Sequence, residues 1–240
     1  MTIFEKIAID TYTIKARLLP SLFALLPLIL VFICLFGIHK ELYEYLLGII
    51  VSFGVLIVLS NIGRDSGKKK EKSLYRIWGG KPTTVKLSHF SNTNPEILKR
   101  YHSKLTMLLP DIKLPNKDEE RNDKFKAYSI YDSCVSFLIE NTRDKEKHNL
   151  IFEENVNYGF RRNLWGFKPY GIIFSTASII IITTKAYINN FTFEILDIFS
   201  IPVIFLLLLL WIFWFTNKWV KIAADAYAER LLASIDLLSS

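Results

Sequence analysis

Residues 64–84 read R-D-S-G-K-K-K-E-K-S-L-Y-R-I-W-G-G-K-P-T-T, and they hold the densest set of chemically able side chains in the chain. Arg64, Lys68 and Lys81 are cations, Thr83 and Thr84 are hydroxyl donors, Trp78 is an aromatic plane, and Asp65 can pair with Arg64. Cations, hydroxyls and backbone N–H groups around a tight turn suit a phosphate, and an indole beside them suits a base, so the pattern points to a nucleotide or oligonucleotide. The competing reading is plainer: Lys68, Lys69, Lys70 and Lys72 anchor the chain beside lipid headgroups, as basic residues flanking a membrane segment commonly do. In the first reading Arg64, Lys68 and Lys81 meet phosphates, while Trp78 stacks or wedges under the turn. A second cationic cluster, Lys99, Arg100 and Lys104, is the alternative anion site.

The spacing around these residues predicts a short charged helix over residues 65–78 with an apolar edge at Leu74, Ile77 and Trp78. Gly79 and Gly80 supply a left-handed stop, and Pro82 keeps the helix from resuming. The helix begins where an apolar stretch ends, so the elements that position it are membrane spans. Each of four apolar runs approaches the roughly 20 residues a helix needs to cross a bilayer. They are expected at residues 18–38, 42–62, 170–188 and 198–215, forming hairpins 18–62 and 169–216. An amphipathic N-terminal helix, 1–17, precedes them, a ligand-sensing region, 63–168, separates them, and a C-terminal helix, 217–240, follows. The expected fold is an all-α membrane protein with a mainly helical cytoplasmic domain between two hairpins.

Within the central region, residues 82–87 read as a short extended segment. Asn94-Pro95 starts a helix, a long helix covers 117–141, and another covers 144–165. So small a helical region predicts packing against copies of itself. Residues 217–240 carry a heptad-like pattern, open between self-association and packing on the central region.

Charge sets the orientation. The chain carries a net +7, and residues 63–165 hold 21 Lys/Arg against 14 Asp/Glu, the whole surplus, since the remainder has nine of each. The two short connections carry Glu41, Glu194 and Asp197 and little positive charge. Positive charge stays inside, so both termini and the central region are expected in the cytoplasm. Lys185 is expected to snorkel to the outer interface. The surplus also implies an anionic partner: lipid, nucleotide or nucleic acid.

Catalytic signatures are missing. The sequence has no phosphate-binding glycine loop, no G-x-S-x-G and no H-E-x-x-H, and its two cysteines and four histidines are scattered, so neither an enzyme, a cofactor nor a metal is expected. A pore needs hydroxyls on a membrane helix, and Ser175, Thr176, Ser178 and Thr183 are the candidates; the alternative is that they bond their own backbone. No ionisable residue falls mid-span, which argues against a proton-coupled carrier.

The pattern R-D-x-G-K-x-x-E-x-x-L-Y-x-x-W-G-G-x-P-T-T over residues 64–84, set between two apolar hairpins, resembles the HalB-like channel effectors of the Hailong anti-phage defence system. Outside that segment the resemblance is one of layout. It implies a homo-oligomeric, tetrameric ion channel held shut by an oligodeoxyadenylate made by a partner nucleotidyltransferase. Loss of that signal during infection then opens the pore and depolarises the cell in an abortive response. The alternative is a membrane-anchored sensor module without a pore.

Overall fold

The computed structural model describes residues 11–36 and 42–238, and their side chains except those of residues 42–53, 55 and 56. The start of the amphipathic lead-in, residues 1–10, and the His39-Lys40-Glu41 connection lie outside the described residues. Every regular element among the described residues is helical. A π-helical turn, Thr13–Leu18, runs into α1, Leu19–Phe36, which continues through Pro27. Next come α2, Leu42–Trp78, then α3, Pro82–Leu87, α4, Pro95–Leu108, α5, Lys117–Asn122, and α6, Lys124–Asn141. After these, α7 spans Asn149–Ile188 and α8 spans Ile195–Leu209, passing into a π-helical Leu210–Trp214. Last is α9, Asn217–Ala233, which ends in a 3-10 turn, Ser234–Asp236.

Thr13–Phe36, Asn149–Ile188 and Ile195–Trp214 are long and apolar enough to cross a bilayer, so the chain is a membrane-associated protein. Residues 42–62, the other expected span, are the first part of α2, and most of their side chains lie outside the described set.

Four local expectations change. The charged helix at 65–78 is not separate but the last part of the 37-residue α2. The helix expected at 144–165 and the span at 170–188 are likewise one 40-residue helix, α7, with Pro169 inside it. A helix that leaves the hydrocarbon has no reason to stop there, because its backbone bonds are already internal. Residues 82–87 are helical rather than extended, with extended Lys81 at the cap and Pro82 at the first position. The helix expected over 117–141 breaks at Asp123, whose carboxylate accepts the Lys126 N–H at 2.9 Å and starts α6 afresh. Asn116 and Glu119 close a capping box at the start of α5. Asn94 caps α4 as expected, its side chain accepting from the Glu96 N–H.

The chain forms two compact units, residues 1–71 with 159–220, and residues 72–158 with 221–240. In the first, α1 packs on α7 and α8 through Val31, Cys34, Ile182 and Ile204, and through Ala24, Phe167, Leu207 and Trp211. Backbone meets backbone at a glycine crossing of α2 on α7. A methyl at Gly166 would lie 2.7 Å from the Gly67 nitrogen and 3.0 Å from the Gly63 carbonyl oxygen. Small residues let membrane helices approach backbone to backbone in this way. Ser66 Oγ and Lys70 Nζ both donate to the Gly166 carbonyl, at 3.1 and 3.2 Å. Buried Arg162 adds an ion pair to Glu71 at 3.0 Å. Where α8 ends in its π-turn, Lys168 Nζ caps freed carbonyls, donating to Ile212 at 2.8 Å and Phe215 at 3.3 Å.

The second unit has its own core: Leu87, Tyr101, Leu105, Tyr131, Val135 and Leu138, closed by Leu231, Leu232 and Ile235. The heptad-like tail is thus spent on this core, since residues from α9 and its final turn are buried within it. That core forms within one chain.

Candidate functional site

Trp78, the last residue of α2, starts the site. Gly79 stands at φ +81° and Gly80 at φ +146°, and the Gly80 N–H returns to the Tyr75 carbonyl at 2.8 Å. That six-to-one bond with a left-handed glycine is the Schellman stop expected from Gly79-Gly80. A side chain at Gly80 would also meet the Tyr128 ring and Val85 at 2.9 Å, so the turn lies directly on Tyr128.

Helix α6 receives the turn with residues spaced four apart, which share one face. Lys124 lies over the Tyr128 ring at 4.9 Å, Tyr128 underlies Gly80, and Asp132 takes the two polar residues that follow. Lys81 Nζ pairs with Asp132 at 2.5 Å, and Thr84 Oγ1 donates to the other oxygen of the same carboxylate. Thr83 is buried. Of the residues expected to hold phosphate, Lys81 and Thr84 are therefore engaged with Asp132 in fixing the turn.

The remaining predicted ligands are distributed elsewhere. Arg64, Asp65 and Lys68 belong to the first unit, where Arg64 and Asp65 pair with each other at 3.2 Å and Lys68 is exposed. Arg100 pairs with Asp236 at 3.0 Å and Lys104 meets the same carboxylate at 3.0 Å, so two of the three cations of the alternative cluster share one acid, while Lys99 is exposed.

Beside Trp78 the second unit opens into a concavity of about 410 Å³ whose lining includes Trp78, Phe90, Arg121, Lys124 and Tyr128. Phe90, Arg121, Lys124 and Tyr128 were not singled out in the sequence, because they come from a loop and two separate helices. On the other side of Trp78 is a smaller hollow of about 210 Å³ that includes Lys86, Asn92, Lys221 and Asp225. Another hollow, about 710 Å³, is lined by Asp111, Glu119, Asp123, Lys113 and Lys126 among others, and Lys113 is spent on Glu119 at 2.9 Å. Its mixed charge suits no anion.

The floor of the aromatic concavity rests on Glu120, a buried carboxylate. It accepts from Ser88 Oγ, from the His89 N–H at 2.9 Å and from Tyr131 Oη at 3.0 Å, which satisfies a charge that would otherwise be costly to bury. Burial and the bond to Glu120 push the Tyr131 phenol well above its ordinary range. Ser88, His89 and Glu120 do not form a nucleophile relay, because the His89 ring faces the Pro115 carbonyl at 3.0 Å and the serine donates to the acid.

His102 stands edge-on to His89 at 4.8 Å, with its Nε2 against the Leu87 carbonyl at 2.8 Å. Burial first, and then His89, push the His102 imidazole below its ordinary range, against the opposing pull of the Leu87 bond and Glu120. The fold thus favours the neutral ring. Below about pH 6.5 the unfolded chain takes a proton that the folded one refuses, so stability falls with pH, by at most about 1.4 kcal/mol per pH unit from this group. The thermal midpoint of His102→Gln in detergent is expected to fall less than that of the native protein between pH 7 and 5. Parallel slopes would remove His102 from the account.

Along α7, the predicted pore hydroxyls separate onto two faces. Ser175 and Ser178 are buried, and neither oxygen finds a partner among the described residues. Thr176 and Thr183 are exposed, and Thr183 Oγ1 returns to the Ile179 carbonyl at 2.8 Å. Lys185, expected at the outer interface, is held by specific partners. Its Nζ donates to the Cys34 carbonyl at 2.8 Å and meets Asp197 and Glu194, each at 3.2 Å.

Comparison with family models, curated proteins and solved structures gives no match.

Proposed function

We propose that this protein is an oligomeric membrane ion channel whose pore is held closed by an anionic nucleotide or oligodeoxyadenylate. Loss of that signal opens it and depolarises a bacterial inner membrane. The observation that carries the reading is the continuity of α2, one helix from Leu42 to the turn at Trp78. Residues 42–62 serve as the fourth span, and the rest of the same helix bears the basic segment. A ligand at its end therefore acts directly on a membrane helix, without an intermediate pathway, provided that it binds closed and open states with different affinity.

The resemblance of residues 64–84 to the HalB-like effectors of anti-phage defence supports the same reading, with a tetramer as its assembly and a partner nucleotidyltransferase as the source of the signal. In a ring of protomers the exposed side of α7, with Thr176, can face a shared axis, and one polar residue per copy lines it. Basic flanks keep both termini and the ligand-binding region in the cytoplasm.

Purified protein in potassium-loaded vesicles is the test. Ion flux is expected without ligand, and single-stranded oligodeoxyadenylate on the cytoplasmic side should suppress it at least ten-fold, which needs a differential affinity of about 1.4 kcal/mol or more between the two states. Vesicles that stay sealed in either condition would make the protein an anchored binding module.

A further inference from the structure

We infer that the concavity bounded by Trp78, Phe90 and Tyr128 holds one unpaired base of a single-stranded nucleic acid, with its phosphate taken by Arg121 and Lys124. The inference rests on the nucleotide reading above but moves the binding chemistry off the lysine-rich segment and onto residues of α5, α6 and the Phe90 loop.

Three aromatic side chains converge on one hollow of about 410 Å³, a size that suits one nucleotide and not a duplex. Phe90 is 52% exposed in a protein that buries its aromatic core elsewhere. Three cations stand over these rings. Lys117 and Arg121 are each 5.8 Å from the centre of Phe90, and Lys124 is 4.9 Å from that of Tyr128. Arg121 has only a loose contact with Asp118, at 3.8 Å. Cations held mainly by exposed ring faces are weakly held, and a phosphate oxygen is the stronger partner. A base entering the hollow takes the ring face that the cation occupied, and the displaced cation meets the phosphate.

The acid in the floor does not oppose this, because both oxygens of Glu120 are already donated to by Ser88, His89 and Tyr131. By contrast Lys81, the first cation after Trp78, is tied to Asp132. An unpaired base is required because stacking needs a free π-face, which a duplex does not offer.

Fluorescence anisotropy with the full-length protein in detergent tests this, using a labelled single-stranded deoxyoligonucleotide, its duplex and an abasic strand of equal charge. The native protein should bind the single strand at least ten-fold more tightly than the other two. Phe90→Ala should weaken single-strand binding about five- to a hundred-fold and leave abasic binding unchanged, and Phe90→Tyr should restore it. Arg121→Gln with Lys124→Gln should lower the slope of log affinity against log salt by about 0.7, the release expected for one phosphate no longer neutralised on a single strand. If the single strand binds but Phe90→Ala and the double variant bind as the native protein does, this site is wrong and the nucleotide reading stands. If neither single nor abasic strand binds the native protein, both fall. Equal affinity for single and abasic strands would overturn the base pocket alone.

Discussion

Lys185→Met is expected to cost about 3–5 kcal/mol, the usual effect of removing one partner from a buried ion pair. The reason lies in what the ammonium leaves behind. Asp197 is fully buried, and its carboxylate accepts from Lys185 at 3.2 Å through both oxygens and from the Glu194 N–H at 3.1 Å. The same ammonium reaches the Cys34 carbonyl of α1 at 2.8 Å, so one side chain of α7 ties all three described apolar helices together. Without it a carboxylate stays inside the helix bundle with one backbone donor.

A second substitution separates charge from shape. Lys185→Met with Asp197→Leu removes both charges and should recover most of the loss, because an apolar pair avoids the desolvation that the ion pair must offset. Glu194→Gln should cost under about 1 kcal/mol, since Glu194 is mostly exposed and its share of the pair is screened. The midpoint of thermal unfolding in detergent, followed by size-exclusion of the surviving fraction, orders the three variants. If the single and double variants melt together, the buried pair contributes nothing and the hairpin is held by packing alone.

This cluster also shows where reading the sequence stops. The apolar runs marked three apolar helices whose far ends, Phe36, Ile188 and Trp214, fall within a few residues of those expected, because hydrocarbon thickness sets where an apolar run can stop. Lys185 at a span end read as an interfacial side chain, since nothing in its spacing reveals Asp197 and Cys34 as partners. Boundaries failed for a related reason. The end of the apolar run at residue 62 read as the end of one helix and its resumption at residue 170 as the start of another, whereas α2 and α7 continue through both. The Gly79-Gly80 stop was legible because a left-handed turn is a local demand. The aromatic hollow was not, because Phe90, Arg121 and Tyr128 meet only after the second unit has folded.

The glycine crossing gives the other large effect. Gly166→Ala places a methyl 2.7 Å from the backbone nitrogen of Gly67 and 3.0 Å from the carbonyl of Gly63, and backbone cannot swing aside as a side chain can. Overpacking of this kind costs about 1–3 kcal/mol, against which alanine returns less than about 1 kcal/mol of helix propensity. Gly54, on the same helix α2, has nothing within 4 Å of an added methyl and is the control: there the propensity term acts alone, and Gly54→Ala should be neutral or slightly stabilising. Gly166→Ala should also part the carbonyl of residue 166 from Ser66 and Lys70, which both donate to it. On the channel reading, loosening this crossing frees α2 from α7, so Gly166→Ala vesicles should leak in the presence of an oligonucleotide that silences the native protein, while Gly54→Ala vesicles stay silent. A Gly166→Ala protein with native melting and native silencing would show that α2 and α7 can separate by the width of a methyl without cost, and the crossing would then be neither a structural nor a gating constraint.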